Sequence, residues 1–324
     1  MIGANSSAPR RSLPSFLWFG LGLMTGIAIG SSVGSRYSRP QAAVLRPTPT
    51  AEFGRPSEDS GSVPNGQSPL QGGQPWGMAE VLSLAEQSLD RFRVRVGDYT
   101  ATLVKQEAIN GKLGDPQRIA IKVQCPHRPE APDVRHPLRV YLRFESPSNF
   151  AGREVIWAED LHDAKMVVHE AGILGLMSLR LEPTGLIAMQ GQRYPITEIG
   201  LTNLLEKLVA RGRQDLDNSD VSVSVMQGLE LEGLVCDRIE VLRRKPSGKA
   251  DDFSRAEIWF DPRTQLPIRY SAYGWRPDPK KGADPKTPPA PGDLVESYTY
   301  LDIRTNVGLS DADFDPENPE YQFP

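Results

Sequence analysis

Four histidines, two cysteines and a carboxylate-rich run near the carboxyl end are the residues of this 324-residue sequence whose types suit catalysis or metal binding. The histidines are His127, His136, His162 and His169, and none stands at a recognised metal-ligand spacing. His162-Asp163 and His169-Glu170 are adjacent in sequence, but neighbouring side chains of an extended chain point to opposite sides. Asp311, Asp313 and Asp315 imitate the start of a calcium loop. The sixth position is Pro316 where the turn needs glycine, and the twelfth is Gln322 where a bidentate glutamate belongs. The segment reads instead as a helical turn capped by Ser310, with Asp313 three residues on. Lys105, Glu107, Arg153 and Glu154 suit either a buried ionic pair across strands or a solvated sheet face. Cys125 and Cys236 suit equally a disulfide and two buried thiols. No nucleophile elbow, phosphate loop or dinucleotide fingerprint occurs. A non-catalytic protein without metal or cofactor is expected.

Charge narrows the partners. Residues 1–77 carry six Arg and three acids, net +3, whereas residues 78–324 carry 31 Lys or Arg against 38 acids, net −7. An acidic domain argues against nucleic acid, whose binding proteins draw most of their affinity from a basic face. It argues equally against docking on anionic lipid through charge.

The positioning elements begin at the amino end. After a short basic stretch, residues 1–11, a charge-free run of 24 residues extends from 12 to 35. As a helix it would be about 36 Å long, enough for the ~30 Å core of a bilayer. Gly22, Gly26, Gly30 and Gly34 fall on one face of that helix, where a second helix could approach closely. The run reads as a retained single-pass anchor in the cytoplasmic membrane, with the main domain on the periplasmic side. The alternative is a cleaved export signal and a soluble periplasmic protein. Residues 36–77 hold seven prolines, six glycines and five serines, and read as a disordered tether.

Residues 78–324 form one domain. Met78, Val81, Leu82, Ala85, Leu89, Phe92 and Val96 recur at helical spacing up to Gly97. Strands are predicted at 99–109, 119–123, 138–144, 154–158, 165–170, 221–226, 234–243, 255–261, 267–273 and 294–303, with an Asn110-Gly111 turn after the first. Their alternation of apolar and charged residues predicts an antiparallel sheet covered on one side. Ile199, Leu201, Leu204, Leu205, Leu208 and Val209 form a second helix, started near Thr197 and stopped at Gly212. Residues 274–293, with six prolines, read as a solvated, disordered insert. The fold class is α+β, mainly β: a large curved antiparallel sheet with helices on one face.

Certain motifs look familiar. Tyr99-Thr-Ala-Thr-Leu-Val-Lys-Gln-Glu107 follows the first helix, and Leu-Arg-Val-Tyr-Leu-Arg-Phe144 comes later. Ala256-Glu-Ile-Trp-Phe-Asp-Pro-Arg-Thr-Gln-Leu-Pro-Ile-Arg-Tyr270 and Leu309-Ser-Asp-Ala-Asp-Phe314 complete the set. Over roughly residues 78–316 the chain resembles an uncharacterised bacterial domain family related to the outer-membrane lipoprotein carriers LolA and LolB and the envelope-stress regulator RseB. The stretch from Ala151-Gly-Arg-Glu-Val155 through Arg193-Tyr-Pro-Ile-Thr-Glu-Ile-Gly200 carries the likeness to the uncharacterised branch. The resemblance implies an unclosed half-barrel whose concave face is capped by helices and which, in the carriers, accepts acyl chains. The expected partner is therefore a lipid or a lipoprotein acyl chain; an RseB-like module that contacts a membrane protein is the alternative.

A half-open barrel leaves an apolar interior that side chains or a ligand must fill. Burying a 16-carbon chain would contribute about 12 kcal/mol before ordering costs. Candidate lining residues are Ile119, Ile121, Val123, Leu138, Val140, Leu142 and Phe144. Ile173, Leu174, Leu176 and Met177 lie in a glycine-hinged apolar loop and are expected at the mouth.

Overall fold

The computed structural model describes residues 76–131, 133–171, 177–247, 252–275 and 291–324. The expected anchor with Gly22, Gly26, Gly30 and Gly34, the tether, the loop residues Ile173, Leu174 and Leu176, and most of the insert lie outside the described residues. Among the described residues no helix is long and apolar enough to cross a membrane.

Helix α1 spans Met78–Arg95 and α2 spans Leu201–Asp215. The strands are β1 Asp98–Ile109, β2 Lys112–Leu113, β3 Gln117–Gln124, β4 Arg139–Ser146, β5 Glu154–Ala158, β6 Met166–His169 and β7 Ser178–Leu181. After α2 come β8 Val221–Leu231, β9 Leu234–Arg243, β10 Arg255–Asp261, β11 Leu266–Trp275 and β12 Pro291–Thr305. They form one sheet in the order β7-β6-β5-β4-β3-β1-β12-β11-β10-β9-β8, with β2 attached to β1. Every pairing is antiparallel. Strands β7 and β8 are the two ends of that order, so the sheet is unclosed. The first and last strands meet at its centre, with Tyr99 opposite Thr305 and Glu107 opposite Glu296.

Both helices lie on one face. Leu82, Ala85, Leu89 and Phe92 of α1 and Leu201, Leu205 and Val209 of α2 share one buried cluster with Tyr99, Leu103, Ile121, Val123 and Val140 of the sheet. A second cluster joins Leu84 of α1 to Ile239, Val241, Ala256, Ile258 and Phe260 on the other half of the sheet. One pair of helices thus reaches both halves, which requires the sheet to curve around them.

Two glycines set where α2 sits. Gly200, with φ of 105°, immediately precedes it, and a Cβ there would lie 2.9 Å from the Tyr99 hydroxyl oxygen. That close approach lets the Leu201 N–H donate to the Tyr99 hydroxyl at 2.9 Å. Gly212 was expected to end the helix, yet α2 continues to Asp215. Gly212 is buried against α1, where a Cβ would come within 3.2 Å of Leu82 Cδ1. Here glycine serves helix-to-helix contact rather than termination.

Other expectations change at the edges. Strand β7, absent from the sequence reading, pairs with β6. Strands β11 and β12 extend into the expected insert, with Trp275 opposite Pro291. Coverage on one side fails for β4 to β6, and β5 is buried at all five positions. On its outer face Tyr141, Ile156 and Val167 pack against Phe314, with Tyr321 and Phe323 of the carboxyl-terminal segment beside them. The Tyr141 and Tyr321 rings stack at 4.1 Å. The turn Asp311–Phe314 holds the segment in place: Ser310 and Asp313 cap it, and Lys122 reaches Asp313 at 2.7 Å. Cys125 and Cys236 are both free and buried.

Candidate functional site

The space between the sheet and the helices is not completely filled. A cavity of about 780 Å³ remains, lined from nearly every element of the inner face. Helix α1 contributes Val81, Leu82 and Ala85, and α2 contributes Leu204 and Leu208. One half of the sheet supplies Leu103, Ile119, Leu142, Phe144, Val155, Val168 and Leu181, and the other half Ile239, Val241, Ile258 and Phe260. Leu181 belongs to the edge strand β7 and Val241 to β9 near the opposite edge, so the curved sheet encloses the space from both sides.

Of the sequence candidates, Ile119, Leu142 and Phe144 line this cavity. Ile121, Val123, Leu138 and Val140 do not; they are buried in the cluster beneath the helices. Val123, for example, lies close to Gly200 at the start of α2. Met177 is 70 % exposed and is not among the lining residues. Leu179, two residues on, lines the cavity while remaining exposed, and so does Ile187 in the connection between β7 and α2. Leu186, next to Ile187, is 94 % exposed.

A polar group interrupts the apolar wall. In β1 the alternation that turns Tyr99, Ala101 and Leu103 inward continues to Lys105 and Glu107. Across the β1–β12 pairing, Tyr300, Tyr298 and Glu296 face the same cavity, which sets Glu296 directly opposite Glu107. Like charges at such positions repel, and the residues just before α2 hold them together. Arg193 Nε donates to Glu296 Oε2 at 2.7 Å, and the Arg193 backbone N–H donates to Glu107 Oε2 at 3.2 Å. The Tyr298 hydroxyl donates to Glu107 Oε1 at 2.6 Å, and the Tyr194 hydroxyl donates to Glu296 Oε1 at 3.3 Å. Lys105 Nζ donates to Glu107 Oε2 at 3.4 Å and to the side-chain carbonyl of Gln192.

Burial dominates the electrostatics of this group. It pushes the Lys105 ammonium below the ordinary lysine value, against the pull of Glu107. It raises the Glu296 carboxyl above the ordinary value; the nearby Glu107 charge adds to the rise and Arg193 opposes it. Burial also raises the Tyr194 and Tyr298 hydroxyls, with the neighbouring carboxylates contributing. Both tyrosines are thereby held neutral, as donors. Lys105 and Glu107 thus form an inward-facing pair within one strand. Arg153 pairs instead with Glu170 at 2.9 Å, and Glu154 accepts from the Tyr141 hydroxyl at 2.6 Å.

The far end of α2 is fixed by a second ionic group. Asp215 accepts from Arg243 of β9, and both side chains are only 4 % exposed. The Arg243 guanidinium lies over the Phe253 ring at 5.0 Å. With Tyr99 at its start and Arg243 at its end, α2 is a fixed roof over the cavity.

The remaining reactive residue types lie elsewhere. His162 Nε2 is 3.0 Å from the Phe314 carbonyl, and the His169 ring is 5.7 Å from that of Phe323. Burial pushes the Cys125 thiol up to about 12 and that of Cys236 to about 11, which keeps both protonated and unreactive. Among the described residues no group of three or more His, Cys, Asp or Glu is arranged to hold a metal ion. Sequence reasoning missed Glu296, Arg193, Tyr194, Tyr298 and Gln192. A signal existed in β12, where Glu296, Tyr298 and Tyr300 alternate onto one face.

A family model described as a protein of unknown function, DUF1571, matches residues 96–323. No curated protein matches the sequence. Among solved structures, the chain is similar to the lipoprotein LppX of Mycobacterium tuberculosis, with 12% identity over 73% of this chain and 99% of that one, at a TM-score of 0.39. It is similar to MucB, solved in complex with MucA(peri), with 13% identity over 72% of this chain and 59% of that one, at a TM-score of 0.37. A LolA superfamily protein from Nitrosomonas europaea matches at 11% identity over 72% of this chain and 97% of that one, with a TM-score of 0.28.

Proposed function

We propose, from the premise that this chain belongs to the DUF1571 family of proteins of unknown function, that it is a non-catalytic cell-envelope module that binds a lipid or lipoprotein acyl chain. The observation that carries this reading is the cavity of about 780 Å³ enclosed by the curved sheet and its two helices. Its volume falls within the ~300–1,000 Å³ typical of small-molecule sites, and its wall is mostly aliphatic and aromatic. Leu204 and Leu208 stay only half-buried beside the buried Leu201, Leu205 and Val209 of the same helix, and both line this space. In this reading residues 12–35 are a membrane anchor and residues 36–77 a tether, placing the domain on the periplasmic side within reach of the cytoplasmic membrane surface.

The test is organic extraction of the purified full-length chain followed by mass spectrometry, with uptake of a fluorescent fatty acid measured in parallel. Leu208→Trp, which fills the cavity from its roof, is expected to lower both co-purified lipid and dye uptake at least fivefold. Absence of lipid together with absence of dye uptake in the unaltered chain would overturn the reading.

A second reading, an RseB-like module contacting a membrane-protein partner, is favoured by the exposed apolar side chains Met177, Leu179, Leu186 and Ile187, of which Leu179 and Ile187 also line the cavity. A specific cross-link to one membrane protein, lost on Leu186→Ser/Ile187→Ser while lipid content is unchanged, would support it.

A further inference from the structure

The polar group in the cavity wall holds two cations and two anions, Lys105 and Arg193 with Glu107 and Glu296. All four carboxylate oxygens already accept hydrogen bonds, from Tyr298, Lys105, Arg193 and Tyr194. The donors are in excess. Lys105 has three N–H bonds but only two acceptors among the described residues, Glu107 and Gln192, and its side chain is 12% exposed, into the cavity. Gln192 accepts from Lys105 through its side-chain carbonyl and itself lines the same cavity, which leaves its amide N–H₂ as a further donor of the site. A ligand that brings an oxygen acceptor matches this surplus of donors at the cavity wall.

The charge balance says which kind of acceptor. A carboxylate or phosphate would lose its hydration beside Glu107 and Glu296, and each cation there is already neutralised by one of them. A carbonyl oxygen of an ester or amide accepts the same hydrogen bonds without introducing a charge. Resting on the reading of the cavity as an acyl-chain site, we infer that Lys105 and Gln192 form its polar subsite, and that this subsite selects an uncharged acyl ester or amide over a free fatty-acid anion or a phosphate.

Displacement of the neutral dye N-phenyl-1-naphthylamine from the full-length chain at pH 8 tests this, with methyl laurate, laurate and dodecane as competitors of equal chain length. Methyl laurate is expected to bind at least tenfold more tightly than laurate and about fivefold more tightly than dodecane. Lys105→Met should reduce the advantage over dodecane to twofold or less. Glu296→Gln removes one negative charge, keeps an acceptor for Arg193, and should raise laurate affinity about tenfold while changing that of methyl laurate less than threefold. Laurate binding within threefold of methyl laurate in the unaltered chain would overturn the selectivity and leave the cavity reading standing. Dye uptake with no displacement by any of the three would overturn both.

Discussion

Replacing Arg243 with methionine should release one end of the cavity roof. The Arg243–Asp215 pair joins β9 to the last turn of α2, and each side chain is 4 % exposed. Removing one member of such a pair leaves a buried charge, at a cost of about 3–5 kcal/mol. Arg211 lies 3.8 Å from Asp215 and partly compensates, which favours the lower end, about 3 kcal/mol. For a domain of this size each kcal/mol corresponds to roughly 2–4 °C in Tm, so Arg243→Met should melt about 6–12 °C below the unaltered chain. Arg213 provides the control. It pairs with Glu86 of α1 and so also ties down α2, but the side chains are 65 % and 38 % exposed, so Arg213→Met should cost about 0–1 kcal/mol and shift Tm by less than about 4 °C. Adding Asp215→Leu to Arg243→Met removes the stranded charge and should recover most of the loss. Thermal unfolding followed by circular dichroism reads all three. Equal Tm values for the Arg243 and Arg213 variants, or no recovery in the double variant, would refute the assignment of α2 as a roof pinned by a buried ion pair.

Three further outcomes are expected. Gly200→Ala places a Cβ at a φ of 105° and 2.9 Å from the Tyr99 hydroxyl, so chemical denaturation should show a loss of about 1–3 kcal/mol; a neutral result would remove the need for glycine there. Burial raises the Glu296 carboxyl, so its neutral form favours the folded chain: that contribution is complete below its unfolded pKa of about 4.5 and is lost as pH rises through the higher folded value. Glu296→Gln should therefore gain stability relative to the unaltered chain between pH 4.5 and pH 8 in paired urea titrations, and a relative loss over that range would contradict the sign. Cys125 and Cys236, buried with thiols raised to about 12 and 11, should resist iodoacetamide at pH 8 in the native chain and react in urea; mass spectrometry of a native chain alkylated at either position would show that the surroundings open.

Much of the architecture was legible because it is local. The bounds of 154–158, 234–243 and 255–261 match β5, β9 and β10, and Met78 to Val96 foreshadows α1. These segments carry a clean period of two or of about 3.6, set by the chain's own residues. Ser178–Leu181 was illegible because four residues of Ser-Leu-Arg-Leu carry too little alternation to stand out from the apolar loop before them. Periodicity named the inner face correctly but did not separate Ile119, Leu142 and Phe144 at the cavity from Ile121, Val123, Leu138 and Val140 under the helices. All seven have the same alternation, and only the placement of α1 and α2 distinguishes them.

By itself, the sequence determined an acidic, mostly antiparallel domain with two amphipathic helices and one apolar face, since composition and spacing are properties of the chain alone. It left Lys105 and Glu107 open between a buried ionic pair and a solvated sheet face, and the structure turns both toward the cavity. Only the tertiary structure decided that Glu296, nearly 190 residues later, stands opposite Glu107, and that Arg193 joins the two. The same holds for the carboxyl-terminal segment, which covers the outer face that alternation alone assigned to solvent. These outcomes depend on strand register and on distant segments meeting, for which no short-range pattern supplies the energy: a one-residue slip between β1 and β12 would turn Glu296 to the other face and dismantle the polar site.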